Sequence, residues 1–342
     1  MRRAPIALLA ILALLLAACG DRAGGDGSGE DGVIRFTFAP DPVWDWLSDQ
    51  GIIAEMEEES GIRIIQSATW DEFGIFAGGH ADVISTGSYE IPVLEEETGT
   101  DTITFGKYNR AKEPVLVPAD SDYQTLEDLQ GKRVAVFSAV GSTLMWGALI
   151  KSQYGLEFRA GDPNSDYEVV VADPASLADL VERGEVDACI CIPELSISQL
   201  RDGILRPLYD SKGAAELYAE WHAPGHEGIM TNLFVARADW YEDHQEEADF
   251  LLAVWERGIE EWQAHKAEII AAYPQHFSVE SEEDVQWVID YIENTFDFFV
   301  DTVYLDQEWI DNEKAIYPLL KETGFMDEST EEPEFVVTTP SS

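Results

Sequence analysis

The sequence predicts an α/β protein of two lobes, each built on an open, mostly parallel sheet, followed by extra C-terminal helices. Three observations predict it. Short apolar runs that read as strands alternate with segments of helical spacing along most of the chain, the signature of layered strands and helices. The alternation falls into two stretches, roughly residues 33–115 and 120–205. From Ala238 onward helical spacing takes over. The chain has 342 residues, 45% hydrophobic and 11% aromatic, enough for one to three folded domains with ample core.

Arg2 and Arg3 precede an uncharged run from Ala4 to Ala18 that ends in Leu16-Ala17-Ala18-Cys19. A basic start, an apolar stretch and small residues before a break form a secretory leader. The run is too short to span a bilayer, which needs about 20 apolar residues. A cysteine directly after the small residues resembles a bacterial lipoprotein signal. Residues 1–18 are therefore expected to be removed and Cys19 to carry lipid, anchoring the chain outside the cytoplasm, in the periplasm or on the outer face. An ordinary leader with a chance cysteine is the alternative. Residues 19–32, rich in Gly, Asp and Ser, read as a flexible tether. Gly27-Ser28-Gly29-Glu30-Asp31-Gly32 matches the dinucleotide fingerprint letter for letter. That fingerprint needs a strand before it and a helix after it, and the order here is the reverse.

Beyond the tether, 33–39 reads as a strand, 44–59 as a helix stopped by Gly61, and 62–69 and 81–85 as strands. A short helix over 91–97 leads to strands at 103–108 and 115–117. Leu126 to Lys132 forms a short helix and turn into strand 133–137, and Gly141-Ser142-Thr143 opens a helix ending near Gly155. Strand 167–171, helix 175–183 and strand 187–192 follow, then extended segments at 204–209 and 230–236. Helices are expected over 239–273 with a break, 282–299 and 307–323, the last capped by Gly324. The acidic, then Thr/Pro/Ser-rich stretch 326–342 reads as a frayed tail.

Charge narrows the partners. Sixty-seven acidic residues face 21 basic ones, a net charge of −46, which becomes −48 once Arg2 and Arg3 leave with the leader. Such a field repels nucleic acid and anionic lipid. The excess of Asp and Glu over Lys resembles halophilic proteins, in which about 1 M salt shortens the Debye length to roughly 3 Å. A merely acidic exported protein is the other reading. Cys189 and Cys191 fall at i, i+2 in a strand, about 6.6 Å apart, and are expected to pack as two small apolar core residues without bridging.

Four segments then resemble one family. They are Gly79-His80-Ala81-Asp82-Val83 with Ser85-Thr86-Gly87, Leu129 to Val136 followed by Gly141-Ser142, Leu180 to Ala188, and Phe234 to Trp240. Their order and spacing are similar to periplasmic substrate-binding proteins of ABC transporters, in the nitrate/sulfonate/taurine and thiamine-precursor (SsuA/THI5-like) branch. The resemblance covers most of 33–270. It implies the two-lobed type II periplasmic-binding-protein fold, with a ligand cleft beyond the carboxyl ends of the strands. It also implies a small-molecule ligand, and an ABC permease with its ATPase as partners. One lobe is expected over 33–115 plus 211–325 and the other over 116–210, with hinges near Val115–Pro118 and Pro207–Asp210.

Strand ends nominate the ligand contacts. Thr69 and Trp70 end the second strand, and Thr86, Gly87, Ser88 and Tyr89 the third. Ser138, Gly141, Ser142 and Thr143 lie where free N–H groups open a helix. Pro193 and Glu194 follow the second lobe's last strand, Asn232 opens the return strand, and one of Trp44 and Trp46 is expected to wall the cleft. Ser142 and Ser88 also suit helix caps, and Trp70 suits core packing.

Other patterns lead elsewhere. His222 and His226 flank Ala223-Pro224-Gly225, which precludes a regular helix, and no third zinc ligand is in sight, so a surface loop or lid is expected. Asp162 to Asp166 resembles a calcium loop, but Tyr167 stands where Gly is needed. Gly99 to Lys107 has the wrong spacing for a phosphate loop. No hydrolase signature is present, and neither an enzyme, a metal nor a cofactor is expected. The expected protein is a monomeric, lipid-anchored receptor that delivers a solute to a permease. A ligand-presenting sensor, or an enzyme like those that make the thiamine pyrimidine, is the alternative. The helix opening at Ser142 favours a sulfonate- or nitrate-like anion. The aromatic content with Asp45, Glu90 and Glu194 favours a small planar heterocycle or a cation.

Overall fold

In a computed structural model, which describes residues 31–226, 228–295 and 297–340, two sheets stand apart in the chain and share one cleft. The leader, Cys19 and most of the expected tether lie outside the described residues. Strand β1 (Val33–Phe38) turns Ile34, Phe36 and Phe38 into the core. Helix α1 (Pro42–Asp49) starts sharply because Asp41 accepts from the Val43 N–H at 2.8 Å and Pro42 fixes the first turn. The single helix expected over 44–59 is broken. Gly51, at φ +75°, separates α1 from α2 (Ile52–Ser60), a conformation that glycine adopts without strain. Strand β2 (Arg63–Ala68), α3 (Glu72–Ala77), β3 (Val83–Thr86), α4 (Ile91–Thr98) and β4 (Thr102–Arg110) complete the first pass.

The second pass comprises β5 (Val115–Pro118), β6 (Arg133–Val136), α5 (Ser142–Tyr154), β7 (Glu168–Val171), α6 (Leu177–Glu182), β8 (Ala188–Ile190), α7 (Ile197–Arg201), β9 (Leu205–Pro207) and α8 (Ala214–Trp221). Strand β10 (Met230–Arg237) returns to the first sheet. Helices α9 (Ala238–Asp243), α10 (Gln245–Ala272), α11 (Pro274–Phe277), α12 (Glu282–Asn294), α13 (Gln307–Lys314) and α14 (Ile316–Thr323) follow, then a two-residue strand β11 (Glu334–Phe335). The break expected within 239–273 falls between α9 and α10, with a second kink at His265. Helix 282–299 ends early, at Asn294, and 307–323 splits at Ala315.

The six-stranded sheet runs β11-β4-β10-β3-β1-β2 and the five-stranded one β7-β6-β8-β5-β9. The β1–β2, β1–β3, β4–β11, β6–β7 and β6–β8 pairings are parallel. Strands β10 and β5 pair antiparallel with their neighbours, so each sheet is mixed. The first lobe buries Trp44, Trp240, Trp255 and Trp262 between its sheet and α10, and the second packs Trp146, Leu149 and Ile150 of α5 against α8 and α14. Among the described residues no helix is long and apolar enough to cross a membrane.

Four expectations change. Val115–Pro118 is a strand of the second sheet, so the first crossover lies at 111–114, where Ala111 N–H donates to Ile229 O at 2.7 Å. Helix α8 joins the second lobe's core, which moves the return crossover from Pro207–Asp210 to the residues just before β10. The described part of the expected frayed tail, 326–340, is tied to the fold. Its β11 pairs with β4, and α14 before it packs on α5, because Phe335 and Met326 find apolar partners there. Finally, Cys189 and Cys191 form a disulfide. Strand β8 ends at Ile190, so the chain is less extended than assumed. The two Cα atoms are 5.3 Å apart, inside the roughly 4.4–6.8 Å that a bridge accepts.

Candidate functional site

A cavity of about 680 Å³ opens between the two sheets. Its walls follow from topology. Ala39 to Pro42 leave the carboxyl end of β1, Trp70 to Gly74 follow β2, and Thr86 ends β3. From the other lobe, Phe137, Ser138 and Gly141 follow β6, Asp173 to Ala175 follow β7, and Ile192, Glu194 and Leu195 follow β8. Strands that point their carboxyl ends at one crevice leave loops and helix starts free to meet a ligand. Tyr108 and Asn109 of β4, Lys112 and Glu113 of the crossover, Thr231 and Asn232 of β10, and His276 and Phe277 of α11 close the cavity.

The cavity is acidic. Asp41, Asp71, Glu72, Glu90, Glu97, Glu113, Asp173 and Glu194 line it, against the Lys112 ammonium and the His276 imidazole. Both of these have carboxylate partners. Lys112 pairs with Glu194 and lies 3.3 Å above the Phe298 ring centroid, and His276 Nε2 is 2.7 Å from Asp45 Oδ2. Burial raises several of the acids. Asp41 is pushed up to about 6 despite the Val43 N–H. Glu113 is pushed up to about 7 and Glu72 to about 8, in each case mainly because burial strips water from the charged form.

Glu90 occupies the site where an anion was expected. Its carboxylate accepts from Thr86 Oγ1 at 2.9 Å and Gly87 N–H at 2.8 Å, and its Oε1 faces Gly141 across the cleft. Gly141, at φ +52°, is itself the cap of α5, and Ser142 is the first residue of the helix. The helix start that favoured an anion is thus filled by the protein's own carboxylate.

Of the residues nominated from sequence, Trp70, Thr86, Ser138, Gly141, Glu194 and Asn232 line the cavity. Asn232 Nδ2 donates to Ser85 Oγ at 2.7 Å, and Ser85 is 2.6 Å from the Tyr108 hydroxyl. Trp44, Thr69, Gly87, Ser88, Tyr89 and Thr143 are not among its lining. Trp44 is buried in the core against Phe38 and Trp255, with ring centroids 5.1 and 5.7 Å away. Trp46, its i+2 neighbour, donates its indole N–H to Glu261 instead. Thr69 accepts from Asp71 N–H at 3.1 Å beside the cavity. Ser88 and Tyr89 are buried behind the wall, the Tyr89 hydroxyl 3.1 Å from Thr231 Oγ1. Gly87 lies so close over the Tyr89 ring that a Cβ would come within 2.7 Å of it. Thr143 donates to Ser138 O at 2.5 Å.

Sequence reading missed Asp41, Glu72, Asn109, Glu113 and His276. The first two carried a signal, since each directly follows a strand end that was already nominated. His276 carried none, because α11 reaches the cavity only through tertiary packing. His226 is no surface residue either. Its imidazole is turned inward, with Nε2 3.3 Å from Glu313 Oε2. Among the described residues no group of three or more His, Cys, Asp or Glu is arranged to hold a metal ion.

The family model described as "NMT1/THI5 like" matches residues 62–269. No curated protein sequence matches the chain. Among solved structures, the alkanesulfonate-binding protein SsuA from Xanthomonas axonopodis pv. citri, bound to MOPS, superposes with a TM-score of 0.67 at 17% identity, covering 89% of this chain and 98% of its own. The aliphatic sulphonate binding protein SsuA from Escherichia coli gives 0.65 at 17% identity, covering 92% and 96%. The Candida albicans CA3427 gene product, described as having the generic periplasmic binding protein fold, gives 0.61 at 12%, covering 90% and 98%. At these identities the likeness is one of fold.

Proposed function

The chain belongs to the NMT1/THI5-like family, and from that membership and the cleft we propose an extracytoplasmic solute-binding protein that hands a small organic molecule to an ABC permease and its ATPase. The observation that carries the reading is the cavity itself. It is drawn from the strand ends of both sheets, with Glu90 of the first lobe facing Gly141 of the second. In this reading Cys19 carries the lipid that holds a monomeric receptor beside its permease. The ligand is an organic molecule and not a sulfonate- or nitrate-like anion, because Glu90 already occupies the α5 start and the remaining walls are acidic.

An enzyme reading is weaker. The two described cysteines are bonded to each other and lie off the cavity, so they supply no Cys-rich motif like that of the pyrimidine-making branch. A sensor that presents its ligand to a membrane partner uses the same cleft, and deleting the permease genes separates the two. Native mass spectrometry of the purified mature chain tests the receptor reading. A stoichiometric bound mass that is lost on unfolding is expected, and its addition back should raise the melting temperature, since ligand at 100 times Kd adds about 2.7 kcal/mol. A ligand-free chain that no extract stabilises would sink it. Cys19→Ser should release the protein from membranes.

A further inference from the structure

We propose that the cleft recognises an organic cation rich in N–H donors, such as an amine, amidine or guanidine, gripped by acceptor oxygens from both lobes and the crossover between them. This rests on the receptor reading above and names the class of its ligand.

Three side chains in the cavity are more than nine-tenths buried and carry an oxygen without a hydrogen-bond partner. They are Asn109 Oδ1 at the end of β4, Glu113 Oε2 in the crossover and Glu194 Oε2 beyond β8. Glu72 Oε2, at the start of α3, is a fourth unpartnered oxygen. Buried polar atoms are nearly always paired in folded proteins; other unpartnered atoms are scattered through the described residues, but these four belong to side chains that line one cavity, which makes them the candidates for ligand contact. All four are acceptors. The Asn109 amide has a fixed sense, because its Nδ2 is directed at Asp41 Oδ2 at 3.5 Å, leaving Oδ1 as the free atom. A cation that keeps the Glu72 and Glu113 carboxyls charged satisfies the set with its N–H donors, whereas an anion finds no donor at Asn109 Oδ1.

Charge points the same way. The cavity's own basic side chains are engaged, Lys112 with Glu194 and His276 with Asp45. A cation entering among the remaining carboxylates meets attraction from several sides, and the half-exposed Trp70 at the rim offers a ring face to it. Burial already lifts Glu72 and Glu113 toward neutrality in the empty cleft. A bound cation restores their charged forms.

Calorimetric titration of the full mature chain carrying Cys19→Ser, dialysed free of ligand, tests the proposal. The probes are benzamidine, benzamide and benzoate, matched in shape as cation, neutral and anion, with agmatine, putrescine and ethanesulfonate beside them. One or more of the three cations should bind one-to-one, while benzamide binds at least about tenfold more weakly and the anions not at all. Glu113→Gln and Glu194→Gln, which keep side-chain shape, should each weaken that cation at least about tenfold, the scale of one charged hydrogen bond. A single cooperative melting transition and a parent-like circular dichroism spectrum in these variants exclude misfolding as the cause. Preference for benzoate, ethanesulfonate or benzamide over every cation overturns the proposal and leaves the receptor intact. Failure of all three cations also overturns it, and the co-purified mass then decides alone whether the receptor reading stands.

Discussion

The two walls of the cleft are built differently. The first lobe and crossover bring Asp41, Asp71, Glu72, Glu90, Glu97 and Glu113, set on a six-stranded sheet whose back is sealed by Trp44, Trp255 and Trp262. The second lobe brings Asp173, Glu194 and backbone groups near Gly141, on a five-stranded sheet whose β8 and β9 are only three residues long. The difference teaches a division of labour. Buried charge is costly to hold, and most of it sits on the wall backed by the larger sheet. The smaller lobe supplies the surface that closes over it.

The comparison can be broken most severely at the first lobe's back. Trp255→Ala removes a fully buried ring that stacks on Tyr108 at 4.1 Å, and is expected to cost about 3–5 kcal/mol in urea unfolding. Tyr89→Ala belongs with it, since that ring is buried and not displayed in the cleft. A second test sharpens the charge contrast. The Glu113 carboxyl is raised from 4.5 to about 7 by burial, with Lys112, Glu194 and Glu90 as its charged neighbours. A raised carboxyl binds its proton better when folded, so its stabilising effect is complete below about pH 4.5 and is lost as pH climbs through about 7. Glu113→Gln removes that loss. Its melting temperature should match the parent's at pH 4 and exceed it at pH 8, where its unfolding free energy is larger by on the order of 2–3 kcal/mol. A variant less stable than the parent at pH 8 would contradict this.

Smaller effects probe the closing wall. Trp146 Nε1 donates to Glu113 O at 3.3 Å, tying α5 to the crossover. Trp146→Phe should cost about 1 kcal/mol and loosen ligand binding as well. Glu90→Gln weakens the contact to Gly141, and small-angle scattering should then report a more open ligand-free chain. Trp70→Ala, at a rim residue 51% exposed, should reduce affinity several-fold while stability stays within about 0.5 kcal/mol.

Much of this was legible in the sequence because it is local. Strand 33–39 and the Gly-x-x-Asp-Val step place β1 and β3 beside each other, and Asp82 links them by accepting from Arg35 N–H at 2.9 Å. Strand ends, read by period alone, led to six cavity residues. The rest depends on distant packing. Trp44 and Trp46 look alike as neighbours in sequence, and only α10 decides that Trp44 turns in while Trp46 reaches Glu261. The tail looked soluble by composition, yet one ring, Phe335, reaches Trp309 and Tyr317 with centroids 6.4 and 6.5 Å away. The disulfide was misjudged because ideal strand spacing was applied one residue past the strand's end.

That tail has a consequence for motion. Helix α13 lies in the first lobe, α14 against the second, and β11 back on the first. The halves are therefore laced by two more strands of polypeptide than a simple hinge provides. A laced molecule trades amplitude for tempo: it opens less widely, and solute escape is timed by the lacing as much as by the grip of the cleft. Cutting the chain after Gly324 should leave the pocket's chemistry untouched and shorten the residence time of whatever it holds, turning a strongbox into a tray.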